Sequence, residues 1–422
     1  MPEYPQIRIG GVPAVDLAEA YGTPLLVIDR DVLDAALARY AALSAEFDVN
    51  VSYAGKALLF TALAERVAAA GLGLDVCSLG ELLVAERARF PVARLTFHGC
   101  GKTVEELQAA LDGRVGRLVI DHRDELDVLS ALANDTGRPL DVLLRVNPGV
   151  EADTHRSVRT AGHESKFGFA PDDLVAAFAR LKDAPGLRLV GLHAHIGSNI
   201  FAIEPYLRTL DVLYDLYLEG RAHGAPLEEL ILGGGFGVSN ARGGERFEAA
   251  ALLGAALGRL RDLGKRVGSE RALPRLGIEP GRSVVAEAGT SLYRVVTVKG
   301  EGNRRIVIVD GGLADNPRPA LYGADHAPFA LGRPFPDECD EALICGRSCE
   351  SDELGRATLP SDVRAGDLIG MRSTGAYTFS MSSNYNRFPR PAVVFAGGGR
   401  HYTVIHREPH DVLLAFEARD AV

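Results

Sequence analysis

The sequence predicts an α/β chain: a (β/α)8 barrel over residues 26–282, with residues 1–25 and 283–422 forming a second, all-β domain of Greek-key or sandwich type. Three observations carry this expectation. Short β-rich runs and helical segments alternate about eight times over roughly 250 residues, the rhythm of a parallel barrel in a helical jacket. Polar or glycine-rich turns follow almost every β-rich run, which favours the barrel over a doubly wound open sheet of the same local rhythm. After Arg282 the β-rich runs continue without helices of comparable length between them.

Taken in order, residues 1–24 are short, broken by Pro and Gly, and end in the turn Tyr21-Gly22-Thr23-Pro24. Residues 25–29 read as a strand, and 31–47 as a helix behind Asp29 or Asp31 as cap. Barrel strands are expected at 49–53, 73–76, 94–97, 117–120, 142–146, 189–194, 230–232 and 275–278. Helices are expected at 58–70, 103–111, 124–133, 171–181, 205–221 and 249–263. Beyond the barrel, strands are expected at 291–299, 305–310, 367–371, 392–396 and 402–408. There is no internal repeat and no low-complexity linker.

Composition narrows the function classes. The 422 residues are 47% apolar and 24% charged, which suits a globular enzyme. A net charge of -10 argues against a nucleic-acid partner. No apolar run reaches membrane-spanning length, and Met1-Pro2-Glu3-Tyr4-Pro5 lacks the basic and apolar regions of a signal peptide. Five cysteines, Cys77, Cys100, Cys339, Cys345 and Cys349, read as thiols of a reducing cytoplasm.

The chemistry centres on Lys56. It follows the strand at 49–53, so its amine is aimed above the barrel. A desolvated lysine there can form a Schiff base, although a lone loop lysine is ordinarily just solvated. Its company decides the matter. After the other strands come Cys77-Ser78, His98-Gly99, Asp121, Asn147-Pro148, His195 to Ser198, Gly233-Gly234-Gly235 and Glu279-Pro280-Gly281-Arg282. In a barrel these ring one face. The glycine run offers backbone N–H groups to a phosphate, with Ser198 and the Gly281-Arg282 turn beside it, though glycines also make plain tight turns. His193 and His195 lie on one side of a strand. That spacing suits a metal, a ring stacked on an aromatic cofactor, or simple packing, and no carboxylate in that segment completes a metal set. Cys345 and Cys349 lack a matching pair for zinc, so no metal is expected. Cys349-Glu350-Ser351-Asp352 reads as a polar loop whose thiol is either functional or incidental. A lysine, a phosphate nest, a stacking ring and a carboxylate on one face suggest pyridoxal phosphate, with Glu279 holding the proton on the pyridine nitrogen.

At these residues the chain resembles the diaminopimelate decarboxylases, within the alanine-racemase-like barrel class of pyridoxal-phosphate enzymes. The matching stretches run in order along nearly the whole chain. They are Tyr53-Ala54-Gly55-Lys56-Ala57, residues 71–81 (GLGLDVCSLGE), Phe97-His98-Gly99 and Ser165-Lys166-Phe167-Gly168. Then come residues 193–198 (HAHIGS), 232–238 (LGGGFGV), 279–283 (EPGRS) and 310–322 (DGGLADNPRPALY). Cys349-Glu350-Ser351, Gly375-Ala376-Tyr377 and residues 383–386 (SNYN) complete the set. The resemblance implies that Lys56 carries the cofactor, His195 stacks on its ring and Glu279 pairs with its nitrogen. It implies that Ser198, Gly235, Gly281, Arg282 and Tyr377 hold the phosphate. Arg282, Arg318, Tyr322 and Tyr377 would meet the substrate, the first three at its distal carboxylate, with Glu350 at the distal ammonium. Cys349 would reach in from the second subunit of a homodimer, over the reacting carbon. The implied reaction converts meso-diaminopimelate to L-lysine and carbon dioxide, the last step of lysine biosynthesis.

Four positions depart from the family pattern. Cys100 stands for Asn, Leu313-Ala314 for Met-Asn, and Ser78-Leu79 for Ser-Gly, while Ser351 runs into Asp352 without the usual glycine. None has an assigned role, but the last borders the ammonium site. The rival readings are a decarboxylase of ornithine, lysine or arginine, a racemase, and a non-catalytic cofactor carrier. The first leaves Arg318 without a carboxylate, the second is at odds with Glu279 as the ring-nitrogen partner, and the third lacks use for a β-domain.

Overall fold

The computed structural model describes residues 7–133, 139–150, 165–239, 244–268 and 273–418. The stretch at residues 1–5 read for a signal peptide lies outside them. Among the described residues, eight parallel strands close a barrel. They are Asn50–Ala54, Gly73–Val76, Leu95–Phe97, Arg117–Ile120, Leu140–Arg145, Leu187–His193, Glu229–Ile231 and Arg275–Ile278. Gly277 opposite Asn50 and Ile278 opposite Val51 join the last strand to the first, so no edge is left. These strands are buried on both faces and need apolar side chains at successive positions. Leu118, Val119 and Ile120 supply them in one strand, Val142, Leu143 and Leu144 in the next.

The jacket includes Thr61–Ala69, Val104–Leu111, Arg123–Leu132, Leu174–Lys182, Glu204–Ala222 and Ala249–Arg266. A helix at Leu79–Arg87 was not foreseen, since Gly80 and a short apolar face weaken its pattern. Its Ser78 cap accepts the Glu81 N–H at 3.2 Å. Thr103 and Glu106 form a reciprocal box at the start of Val104–Leu111, the Thr103 N–H donating to the Glu106 carboxylate at 2.8 Å.

The chain divides into two units, one of Leu37–Val238 with Glu245–Ser283, the other of Met1–Ala36, Ser239–Gly244 and Val284–Val422. The sequence reading put residues 26–36 with the barrel. The structure puts them with the other unit because Leu25–Asp29 lies in its sheet, antiparallel to Gly289–Lys299 and parallel to Ala392–Gly397.

That sheet has nine strands among the described residues and is mostly antiparallel. Gly289–Lys299 is its spine: its first half pairs with Leu25–Asp29 and Leu368–Met371, its second with Arg305–Val309. Two apolar cores result. One gathers Leu17, Val27, Leu292 and Val394, the other Tyr293, Val307, Ile344 and Met371. The hairpin of Cys339–Cys345 and Glu353–Pro360 and the strand Phe329–Leu331 escaped the sequence reading. So did the helix Ala14–Tyr21, which presents Ala14, Leu17 and Ala18 to the first core despite its Pro- and Gly-rich flanks. No described helix is long and apolar enough to cross a membrane.

Candidate active site

Lys56 sits in the 3-10 turn Gly55–Ala57, directly after Asn50–Ala54. Two ties fix the turn. The buried Tyr53 hydroxyl donates across it to the Leu58 carbonyl at 2.6 Å, and Ala54 N–H donates to the Pro280 carbonyl at 3.0 Å. The second tie stitches the Lys56 turn to the turn bearing Glu279, Gly281 and Arg282. Gly281 packs closely there, since a Cβ on it would lie 3.1 Å from the Ala54 Cβ. Lys56 is itself exposed, so its amine is accessible.

Around it stand the other groups read from the sequence. Gly235 has φ of +90°, and a Cβ on it would lie 2.2 Å from the Gly197 carbonyl oxygen. The glycine turn therefore lies backbone to backbone against the segment bearing Ser198. Arg282 donates to the Ser198 hydroxyl at 3.0 Å, leaving that hydroxyl's own proton for an anion. His195 is half-buried and accepts the Gly234 N–H at Nδ1, 3.3 Å away. Burial, then the cationic Lys56 and Arg145, hold its imidazole well below the usual range, so the ring is neutral and suited to stacking. The nearby Cys77 thiol is pushed up to about 12 by burial and Glu81, and is inert.

Glu279 is the best-supported carboxylate. His193 Nε2 lies 2.9 Å from one oxygen, and His98 Nε2 lies 3.4 Å from the other. Burial opposes its charge, but the two imidazoles outweigh that and keep Glu279 well below the ordinary carboxylate range. Burial likewise opposes charge on His98, yet Glu279 and Asp75 prevail and raise it to about 9. Asp75 Oδ1 lies 3.6 Å from His98, and burial with the Glu279 charge raises Asp75 to about 6. His98, His193 and Glu279 place ligand-type atoms within 4.8 Å of one another, a spacing that a metal could use. A cation would first have to displace the His98 proton, so we read the cluster as a seat for a charged Glu279, hydrogen-bonded to His193 and ion-paired with His98.

This seat has a pH signature. His98 contributes stability that is complete below its unfolded value of 6.5 and is lost as pH rises through about 9. Asp75, an acid raised from 3.8 to about 6, acts in the same direction lower down, because the folded state holds its proton more tightly. Urea unfolding of the cofactor-free protein should show stability falling by about 3 kcal/mol across the His98 window. His98→Asn should flatten that limb, and an unchanged slope would reject the charged imidazole.

In the second unit, Arg318 opens the short helix Arg318–Tyr322 and is 7% exposed. Its guanidinium carbon lies 5.3 Å from the Tyr322 ring centroid and 5.5 Å from that of Tyr377. Tyr377 holds a left-handed backbone at φ of +59°. Cys349 and Glu350 are exposed in the loop between Cys339–Cys345 and Glu353–Pro360. The Cys349 N–H donates to Asn386 at 3.1 Å, and the Tyr385 hydroxyl to Glu350 at 2.5 Å.

Residues 33–286 match the family model of the pyridoxal-binding domain of pyridoxal-dependent decarboxylases. A diaminopimelate decarboxylase of Actinosynnema pretiosum subsp. auranticum is 42% identical over 98% of this chain and 92% of its own. One from Bacillus subtilis is 38% identical, over 98% and 96%. The crystal structure of the M. jannaschii diaminopimelate decarboxylase in complex with L-lysine superposes with a TM-score of 0.88 at 30% identity, covering 100% of this chain and 97% of that one. The chain belongs to the diaminopimelate decarboxylase family.

A diaminopimelate decarboxylase works with pyridoxal phosphate, and the barrel residues fit that cofactor. The structure offers an accessible lysine, a neutral imidazole, a buried anion, and a hydroxyl beside a glycine turn too tight for side chains. Sequence reasoning placed Lys56, His195, Ser198, Gly235, Glu279, Gly281 and Arg282 on this face, and all seven lie in the barrel unit. It missed the seat of Glu279. The sequence reading marks His98 as a polar residue after a strand and includes Asp75 in the stretch 71–81, but gives neither a role. An aspartate inside an otherwise buried strand was the available signal, since buried carboxylates need partners.

Proposed function

We propose that the protein decarboxylates the D-centre of meso-2,6-diaminopimelate, giving L-lysine and carbon dioxide, and that Lys56, His195 and Cys349 are its catalytic residues. The observation that supports this substrate is Arg318, a buried guanidinium flanked by two tyrosine rings. A second carboxylate on the substrate matches a bidentate guanidinium, and ornithine, lysine or arginine bring only the carboxylate that is lost.

Bound pyridoxal phosphate supplies a sink for the electron pair left when carbon dioxide departs. Lys56 would hold the cofactor through its amine, and His195 would lie against its ring. Glu279, kept anionic by His98 and His193, would hold the proton on the pyridine nitrogen. Ser198, Gly235, Gly281, Arg282 and Tyr377 would fix the phosphate. Arg282, Arg318, Tyr322 and Tyr377 would bind the substrate, Glu350 would take its distal ammonium, and Cys349 would stand over the reacting carbon. Carbon dioxide release from meso-diaminopimelate, compared with L-lysine, L-ornithine and the LL-isomer, tests the reading. Turnover of the meso form alone is expected. Preference for ornithine or lysine would move the enzyme to a neighbouring specificity, and bound cofactor without any carbon dioxide would make it a carrier.

We further propose a cytoplasmic homodimer whose sites are shared. All five cysteines are free thiols, in keeping with a reducing compartment. Two-fold symmetry makes any shared site reciprocal. Mix Lys56→Ala and Cys349→Ala proteins, each nearly inactive, and let subunits exchange. Half the dimers become mixed, and each of these carries one intact site. Activity should return to about a quarter of wild type. A mixture as inactive as its parents, with exchange proven by mass, would place both residues in one subunit's site.

A further inference from the structure

After the third barrel strand, Leu95–Phe97, the chain runs through His98-Gly99-Cys100-Gly101-Lys102 before the helix Val104–Leu111. Gly99 has φ of +125° and Gly101 follows close behind, so the backbone of this turn has little shape of its own. Cys100, which departs from the family pattern, offers it only a weakly bonding thiol where Asn would offer an amide. The Lys102 ammonium ties the turn down. It donates to the Gly99 carbonyl at 2.7 Å, to the Val119 carbonyl at 2.6 Å and to Glu125 at 2.7 Å, which uses all of its protons. The Lys102 side chain is 1% exposed and that of Glu125 2%. Val119 lies one residue past the Phe97–Leu118 rung, where the ladder between the third and fourth strands ends, and Glu125 lies in the first turn of Arg123–Leu132. One ammonium thus draws a turn, a strand end and a helix start to a single point.

The turn carries His98. On one side the His98 N–H donates to the Val76 carbonyl at 2.7 Å, and on the other Lys102 holds the adjoining Gly99 carbonyl. Between these ties the ring reaches Glu279 at 3.4 Å and Asp75 at 3.6 Å, with the His193 ring edge-on at 5.1 Å between centroids. The charged and titratable groups that face it are Asp75, Glu81, His193 and Glu279. At these lengths the contacts to the two carboxylates are ion pairs rather than close hydrogen bonds, so they do not lock the ring by themselves. Its place is set by the backbone that bears it.

We propose that Lys102 is a positioning residue for the seat of Glu279: through the Gly99 carbonyl, its buried ammonium holds the His98 ring between Asp75 and Glu279. The proposal deepens the reading of Glu279 as the partner of the ring nitrogen and rests on it for the effect on rate, though not for the effect on His98. With the tie cut, the turn relaxes and His98 drifts from both carboxylates. Glu279 is then left with one of the two imidazoles that keep it anionic.

The test uses the full-length enzyme, loaded with pyridoxal phosphate for rates and both loaded and unloaded for histidine titration by nuclear magnetic resonance. The His98 signal is assigned by its loss in His98→Asn. Lys102→Met keeps the aliphatic stem and removes the donors. Lys102→Met with Glu125→Gln also removes the carboxylate, so the net charge is unchanged and no lone buried charge remains to unfold the protein. Glu125→Gln alone breaks the ion pair but keeps both carbonyl bonds. In the unloaded protein we expect His98 to move from about 9 toward 6.5 in both Lys102 variants, and much less in Glu125→Gln even where that variant is less stable. Loss of a nearby cation by itself would raise the His98 value, so a fall reports displacement of the ring. In the loaded enzyme kcat should fall about tenfold in both Lys102 variants with KM little changed, since the seat would face the cofactor rather than the substrate. His98 titrating as in wild type in the Lys102 variants overturns the proposal, whatever their stability. An equal shift in Glu125→Gln also overturns it, because the ion pair rather than the hold on Gly99 would then govern His98. A shifted His98 with unchanged kcat upholds the positioning and overturns instead the role of Glu279 at the ring nitrogen.

Discussion

Lys56→Ala is expected to abolish turnover, by about three orders of magnitude or more, while the barrel stays folded. The two halves of this result have separate causes. The amine is the group that would hold the cofactor in reacting position, and no other described lysine shares its turn. The side chain is exposed, and the turn is fixed by the Tyr53 hydroxyl, by the Ala54 bond to Pro280 and by the packing of Gly281, none of which uses the Lys56 side chain. Removing it costs little packing. Far-ultraviolet circular dichroism and the urea midpoint should match wild type. Near-normal turnover in this variant would remove Lys56 from the site.

Glu279→Gln should still bind cofactor and lose most activity. The amide fills the same volume and can keep a bond to His193, but it carries no charge to favour a proton on the ring nitrogen. Losing two pKa units of that preference is worth about 2.7 kcal/mol, or about a hundredfold in rate if the whole effect reaches the transition state. The substitution also deprives His98 of one of the two anions that hold it at about 9. The stability limb between pH 6.5 and 9 should therefore shrink together with the rate, and that joint change distinguishes loss of the charged seat from a local packing fault. An unchanged rate would mean that the ring nitrogen has another partner.

What the sequence disclosed and what it withheld divide along a physical line. Lys56, His195, Gly235 and Glu279 were legible because each follows a β-rich run, and a parallel barrel brings all such positions to one face whatever their distance along the chain. The seat of Glu279 was not legible, because Asp75 and His193 lie in separate strands, His98 follows a third, and local pattern does not say which inward side chains touch. The strand Leu25–Asp29 shows the same limit at the level of fold. Its buried apolar run looks like any barrel strand, and only its pairing with Gly289–Lys299 and Ala392–Gly397 assigns it elsewhere. The hairpin of Cys339–Cys345 and Glu353–Pro360 was hidden for the opposite reason: few of its residues are fully buried, and Asp, Glu, Gly and Pro interrupt the expected composition.

The placement of Leu25–Asp29 has a consequence for how the polypeptide is made. A ribosome releases this apolar segment near the start of translation, but its ladder partner Gly289–Lys299 emerges only after the whole barrel, and Ala392–Gly397 only near the end. The barrel strands between them can close in the meantime, since their partners are close along the chain. Until the last partner appears, the early segment is an unpaired sheet element, the kind that recruits other nascent chains. Slow elongation or premature termination within the final part of the message would therefore leave a finished barrel with a sticky leader, and yield in a heterologous host should depend on chaperone supply more steeply than the stability of the mature protein would suggest.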